Sequence, residues 1–136
     1  MTISYEWRGV ISDDEVNALT DSYGGRSCSG WWDQIRPFSL GWVTARLPNG
    51  EAVGFVNVAW DGSDHAFLLD TKTRRDLHRQ GIGTELVRIA AAKAKDAGCE
   101  WLHVDYRDEL IPFYEGACRF TLTRAGLIHL TEPESN

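Results

Sequence analysis

Between Lys72 and Thr84 the chain concentrates residue types that receive anions. Lys72, Arg74, Arg75 and Arg79 stand against one carboxylate, Asp76, so this stretch carries +3 in a chain whose formal net charge is −6. His78-Arg79-Gln80-Gly81-Ile82-Gly83-Thr84 then leads into an apolar-periodic run. Glycine has no Cβ, so an anion can reach the main chain there. The first N–H groups of a helix have no internal partner and can bind phosphate oxygens. The same residues would also serve as a plain tight turn before a helix, and Gly-x-Gly alone leaves both uses open. A P-loop is excluded, because no Gly-Lys-Ser/Thr ending is present. A dinucleotide fingerprint would need a third glycine where Leu86 stands, and it would follow the first strand directly.

The rest of the composition narrows the class. A length of 136 residues suits one domain, spanning 1–136, with enough chain to bury a core without staples. Apolar residues at 43% and charged residues at 25% are those of a soluble globular protein. Net negative charge argues against a protein that coats nucleic acid or an anionic membrane. Cys28, Cys99 and Cys118 form no C-x-x-C pair, so neither a disulfide framework nor a zinc site is expected, and no metal is implied. Reduced thiols, no apolar run of membrane-spanning length and no signal-peptide core in residues 1–10 make a cytoplasmic location the expectation.

These residues need elements to position them. Ile3, Tyr5 and Trp7 alternate with polar neighbours, as in a strand. Ser12-Asp13-Asp14-Glu15 is a capping box, and Val16, Leu19, Thr20 and Tyr23 continue it at helical spacing up to Gly24-Gly25. Trp31, Trp32, Ile35 and Phe38 predict a short helix ending near Pro37. Strands are expected over 42–47 and 51–60, joined by Pro48-Asn49-Gly50, with a third over 66–73. A helix over about 84–97 follows, its apolar stripe Leu86, Val87, Ala90, Ala94 and Ala97, with Gly98 as stop. A strand over 101–106, a last helix after Asp108 and a last strand over 120–130 complete the order. The fold class is α+β, a mixed α/β layer. The crossover over 66–106 makes its two strands parallel, with the basic turn at the carboxyl end of the first.

The run Thr71-Lys-Thr-Arg-Arg-Asp-Leu-His78-Arg-Gln-Gly81-Ile-Gly83-Thr-Glu-Leu86 resembles the acetyl-CoA-binding motif of the GNAT acetyltransferase superfamily, Arg/Gln-x-x-Gly-x-Gly/Ala between a strand and a helix. Ile111-Pro-Phe-Tyr-Glu-Gly-Ala-Cys-Arg-Phe120 resembles that family's second signature, a Phe/Leu-Tyr pair followed by Gly-Phe. The element order also matches over nearly the whole chain. There are departures. His78 occupies the Arg/Gln position, where Arg79 or the imidazole stands in; Arg107 replaces a frequent Asn, and Arg119 a Gly.

The resemblance implies a central, mostly antiparallel sheet with helices on both faces, and acetyl transfer from acetyl-CoA to an amine of a small molecule or protein in a ternary complex. It assigns Thr71 and Thr73 to the pantetheine, and His78, Arg79, Gln80, Gly81, Ile82, Gly83 and Thr84 to the pyrophosphate, with Phe113 beside the coenzyme. Arg74 or Arg75 would meet the 3′-phosphate, and an N–H between Leu69 and Thr71 would polarise the thioester carbonyl. Tyr114 takes the place of the family's acid. Asp105 and Asp70 rank level as base, with His103 third; a strand histidine more often serves as a hydrogen-bonded structural residue. Acceptor specificity is expected from residues 24–38, with Trp31, Trp32 and Phe38 either lining the pocket or packing the core. A homodimer is expected from the resemblance alone. A non-catalytic acyl-CoA-binding sensor, and an interaction protein whose basic stretch is merely solvated, are the competing readings.

Overall fold

Five strands pair side by side in chain order: Ser4–Trp7 (β1), Ser39–Arg46 (β2), Ala52–Trp60 (β3), His65–Thr73 (β4) and Trp101–His103 (β5). This computed structural model describes residues 2–131. The first three pairings are antiparallel and β4–β5 is parallel. Helices Asp13–Ser22 (α1) and Trp31–Ile35 (α2) lie between β1 and β2, and Ile82–Asp96 (α3) makes the crossover from β4 to β5. The mixed, mostly antiparallel sheet is the one expected. Two compact units divide the chain, one ending at Val104 and one beginning at Asp105.

Local chemistry explains the first unit. At α1 the Ser12 Oγ accepts the Glu15 N–H (3.1 Å) and a Glu15 carboxylate oxygen accepts the Ser12 N–H (3.1 Å), the reciprocal capping box. The same carboxylate pairs with Arg46 at 2.6 Å, tying α1 to β2. At the β2–β3 hairpin the Gly50 N–H donates to the Leu47 carbonyl (2.8 Å), with φ of +91° at Gly50.

Helices cover both faces of the sheet. Trp32 packs edge-on to Phe55 with ring centroids 4.8 Å apart. A Cβ on the adjacent Gly54 would stand 3.0 Å from Ile82 of α3. Successive strand residues face opposite sides, so α2 and α3 lie on opposite faces and β3 is buried between them. Trp32 and Phe55 belong to a core with Ile11, Val16 and Leu19.

Three expectations need correction. The strand expected over 101–106 pairs only through His103. The last helix is a 3₁₀ turn, Asp108–Leu110, and a π-helical segment, Pro112–Ala117. Pro112 lacks an N–H and cannot join the regular i→i−4 ladder. Residues 120–131 form no strand; their apolar and β-branched residues suit one, but a strand exists only against a hydrogen-bonded neighbour. No described helix is long and apolar enough to cross a membrane.

Candidate active site

Strand β4 is irregular where chemistry was expected. Phe55 pairs with Lys72 but Asn57 pairs with Leu69, so β4 carries one extra residue between the two pairs. This β-bulge holds Asp70 at φ +60°, a conformation uncommon for a residue with a Cβ. On its other edge β4 pairs with β5 only over His65–Phe67, so the ladder on that side ends before Leu68. Bulge and ladder end together interrupt the strand around Leu69, Asp70 and Thr71. Bulges of this kind re-aim side chains.

Asp70 opens onto a recess of about 150 Å³ on the side of α1 and α2, whose wall includes Asn17, Thr20, Arg26, Trp31 and Lys72. Solvent reaches Asp70, yet the protein atoms crowded around its carboxyl push its pKa up, and Lys72 pulls it part of the way back. Of the three aromatics weighed for this region, only Trp31 lines the recess. Trp32 is fully buried in the core, and Phe38 is 77% exposed. Asp13 fixes the region by accepting N–H bonds from Gly30 (2.7 Å) and Trp32 (2.8 Å), and the Asn17 amide donates to the Cys28 carbonyl (3.1 Å). Arg26 lies within 24–38, the segment expected to set acceptor specificity, but was not singled out there, and Asn17 and Thr20 were not read as site residues. Only the helical phase of α1 could have signalled the last two.

The turn after β4 has the open main chain that phosphate requires. Arg79 (φ +66°) and Gly81 (φ +81°) are both left-handed, and α3 begins at Ile82. The first intrahelical bond runs from the Glu85 N–H to the Gly81 carbonyl at 3.1 Å, which leaves the N–H groups of Ile82, Gly83 and Thr84 without helical partners. A Cβ at Gly81 would meet nothing within 4 Å, so the surroundings are open and its backbone angle is what demands glycine. His78 Nε2 donates to the Thr73 carbonyl at 2.8 Å and closes the loop. Gln80 is exposed beside it. These residues fit a diphosphate bound through main-chain donors.

The two arginines offered to the 3′-phosphate differ. Arg74 pairs with Glu51 and Asp76, each at 2.6 Å, and the Asp76 bond raises its pKa most. Arg75 forms no ion pair among the described residues; its N–H donates to Ser22 Oγ at 3.2 Å beside a recess of about 540 Å³. His103 is engaged by a 2.7 Å contact with His65 Nδ1 and by stacking on Phe67 at 4.7 Å. No group of three or more His, Cys, Asp or Glu among the described residues could hold a metal.

In the second unit Asp105 is exposed, outside any regular element. Tyr114 is buried. Its ring stacks on Tyr106 at 5.0 Å and meets Phe113 and Phe120 edge-on at 4.8 and 5.9 Å. The Tyr106 hydroxyl donates to Glu115 at 2.8 Å, and that bond raises the Tyr106 pKa.

The sequence model of the acetyltransferase (GNAT) family matches residues 6–120. No curated protein matches the sequence. Among solved structures, a GNAT family protein, SP0256 from Streptococcus pneumoniae TIGR4, superposes with a TM-score of 0.80 at 20% identity, covering 97% of this chain and 100% of its own. Glucosamine-6-phosphate N-acetyltransferase from Arabidopsis thaliana gives 0.76 at 14% identity, covering 96% and 100%. The enzyme AAC(6′)-Iy, solved with the bisubstrate analogue CoA-S-monomethyl-acetylneamine, gives 0.75 at 14% identity, covering 97% and 99%.

Proposed function

The chain belongs to the GNAT acetyltransferase family, and from that premise we propose that it transfers an acetyl group from acetyl-CoA to an amine in a ternary complex. One observation carries the proposal: β4 and the turn that follows it join a bulged carboxylate, Asp70, to the unpartnered N–H groups opening α3. The coenzyme supplies the acetyl thioester. Main-chain donors of residues 79–84 receive its pyrophosphate, with the His78 imidazole holding the loop closed from behind. Thr71, Thr73 and Phe113 bind its pantetheine arm, and an N–H between Leu69 and Thr71 stabilises charge on the carbonyl oxygen.

An alkylamine with a pKa near 10.4 is free base in only about one molecule in a few thousand at pH 7, so a base must act before attack. Asp70 takes that proton. Its raised pKa brings it closer to the amine's and makes it a better base than an ordinary aspartate. Asp105 is the alternative for the same role. The amine nitrogen then bonds to the acetyl carbon, the carbon–sulfur bond breaks, and the sulfur keeps the electron pair. Tyr114 protonates the sulfur and regains a proton from the acylated nitrogen, so one proton is released overall. Thiol release from acetyl-CoA that depends on added amine, with one acetyl amide formed per thiol, is the expected result. Tight coenzyme binding with no thiol release across primary amines would instead identify an acyl-CoA sensor.

A further inference from the structure

The recess at Asp70 has a charge balance opposite to that of the chain. Its wall carries one carboxylate, Asp70, and two cations, Lys72 on the same strand and Arg26 in the loop after α1. Neither cation forms an ion pair among the described residues. Lys72 Nζ lies 5.2 Å from the centroid of the Trp31 ring and 3.5 Å from the Tyr23 hydroxyl, contacts that hold the ammonium without neutralising it. Asp13 and Asn17 strap Cys28, Gly30 and Trp32 to α1, so the segment that follows Arg26 and carries Trp31 is built rather than loose. A polycation entering here would face Arg26 and Lys72 on a wall whose one carboxylate is Asp70, with Asp13 and Asp21 set behind Asn17 and Ser27, and like-charge juxtaposition of this kind rejects partners. An acceptor with no anionic group would give Arg26 and Lys72 no counter-charge beyond Asp70.

We infer that the acceptor is a small amine bearing its own anionic group, with the amine directed to Asp70 and the anion held between Arg26 and Lys72. This rests on the acetyl-transfer reading and narrows it to a substrate class. An arginine fork receives a carboxylate or phosphate through two N–H donors, and lysine adds a point charge. A volume of about 150 Å³ suits a guest of amino-acid size, since a cavity of roughly that volume takes benzene. Trp31 supplies an apolar wall for the carbon skeleton.

The test uses the full chain with acetyl-CoA and three matched amine sets. Glycine and β-alanine carry a carboxylate and 2-aminoethyl phosphate carries a phosphate; glycinamide, β-alaninamide and ethanolamine are their respective counterparts without the anion, with putrescine as the dication. At least one anion-bearing amine is expected to exceed its anion-free counterpart in kcat/KM by tenfold or more; whether glycine, β-alanine or 2-aminoethyl phosphate leads identifies the anion. In Arg26→Gln and Lys72→Gln that ratio should fall towards one, with folding of each variant checked by its thermal transition. If no anionic amine exceeds its counterpart tenfold, or if putrescine equals the best anionic amine, the inference is overturned while acetyl transfer stays intact. A ratio unmoved in both variants overturns it too. Acetyl-CoA binding without transfer to any amine would bring down the parent reading and this one with it.

Discussion

Asp70 illustrates how one residue can trade stability for chemistry. Its carboxyl is held protonated to a higher pH in the fold than in the unfolded chain, because neighbouring atoms strip water from the charged form. A folded pKa above the unfolded one means that the fold binds this proton more tightly. Its contribution is therefore fully present below the unfolded pKa and is lost as pH rises through the folded value. At neutral pH the ionised Asp70 therefore works against the fold. Asp70→Asn is expected to raise the thermal midpoint at pH 7 while lowering kcat by about 10²–10⁴-fold, the usual reach of a general base. The variant should also lose the acidic limb of the kcat pH profile. An unchanged limb would move the role to Asp105. Tyr114→Phe is expected to lower kcat by about 10²-fold or more with little change in coenzyme affinity, because only a late proton transfer is removed. Equal turnover, measured by thiol release, would leave Tyr114 as the packing residue that its contacts with Tyr106 and Phe120 also describe.

At the scale of elements the turn into α3 makes the sharpest demand. Gly81→Val forces a β-branched residue into the left-handed region, at about 1–2 kcal/mol, although the surroundings offer no clash. Its side chain would also stand where an anion must approach the main chain. Acetyl-CoA Kd, read by calorimetry, should therefore rise at least about tenfold, or ~1.4 kcal/mol. An unaltered Kd would remove the phosphate from this turn. The Glu15–Arg46 tie makes a pH prediction of the opposite sign to Asp70. The Arg46 hydrogen bond lowers the Glu15 pKa, so its stabilisation is present above the ordinary glutamate range and disappears as pH falls through the folded value. Glu15→Gln should therefore narrow the stability difference between pH 7 and pH 3 in urea titrations. Elements governed by neighbouring residues were legible in the sequence: the Ser12–Glu15 box, the Asn49-Gly50 hairpin and the Gly81 entry to α3. The Asp70 bulge was not legible. It is a mismatch of register between β3 and β4, and neither strand carries it alone. Arg26 and Asn17 escaped for the same reason, since loop folding rather than spacing brings them to Asp70.

The two units differ in what holds them. In the first, buried hydrophobic side chains run from Ile11 to Ala94, and β3 is covered on both faces. In the second, Tyr114 is the one buried residue among those described, and Leu122, Leu127, Ile128 and Leu130 are between 71% and 91% exposed. Burial of apolar surface is what resists opening, at about 25 cal/mol per Å², and local opening energies fall where burial is slight. The turn into α3 thus sits on the well-buried unit, while Tyr114 belongs to the lightly held one. Hydrogen exchange should reflect this. Amides of residues 53–58 and 86–94 are expected to exchange only on the scale of global unfolding, and those of residues 121–131 to exchange fully in the earliest time points, whereas the Phe120 N–H is held by the Tyr114 carbonyl at 2.8 Å. The apolar and β-branched residues from Phe120 to Leu130 read as a strand for want of any local signal that its ladder partner is missing. Slow exchange across 120–130 would mean that this segment is hydrogen-bonded to another strand in solution. A protein-concentration dependence of that protection would place the strand in a second copy of the chain.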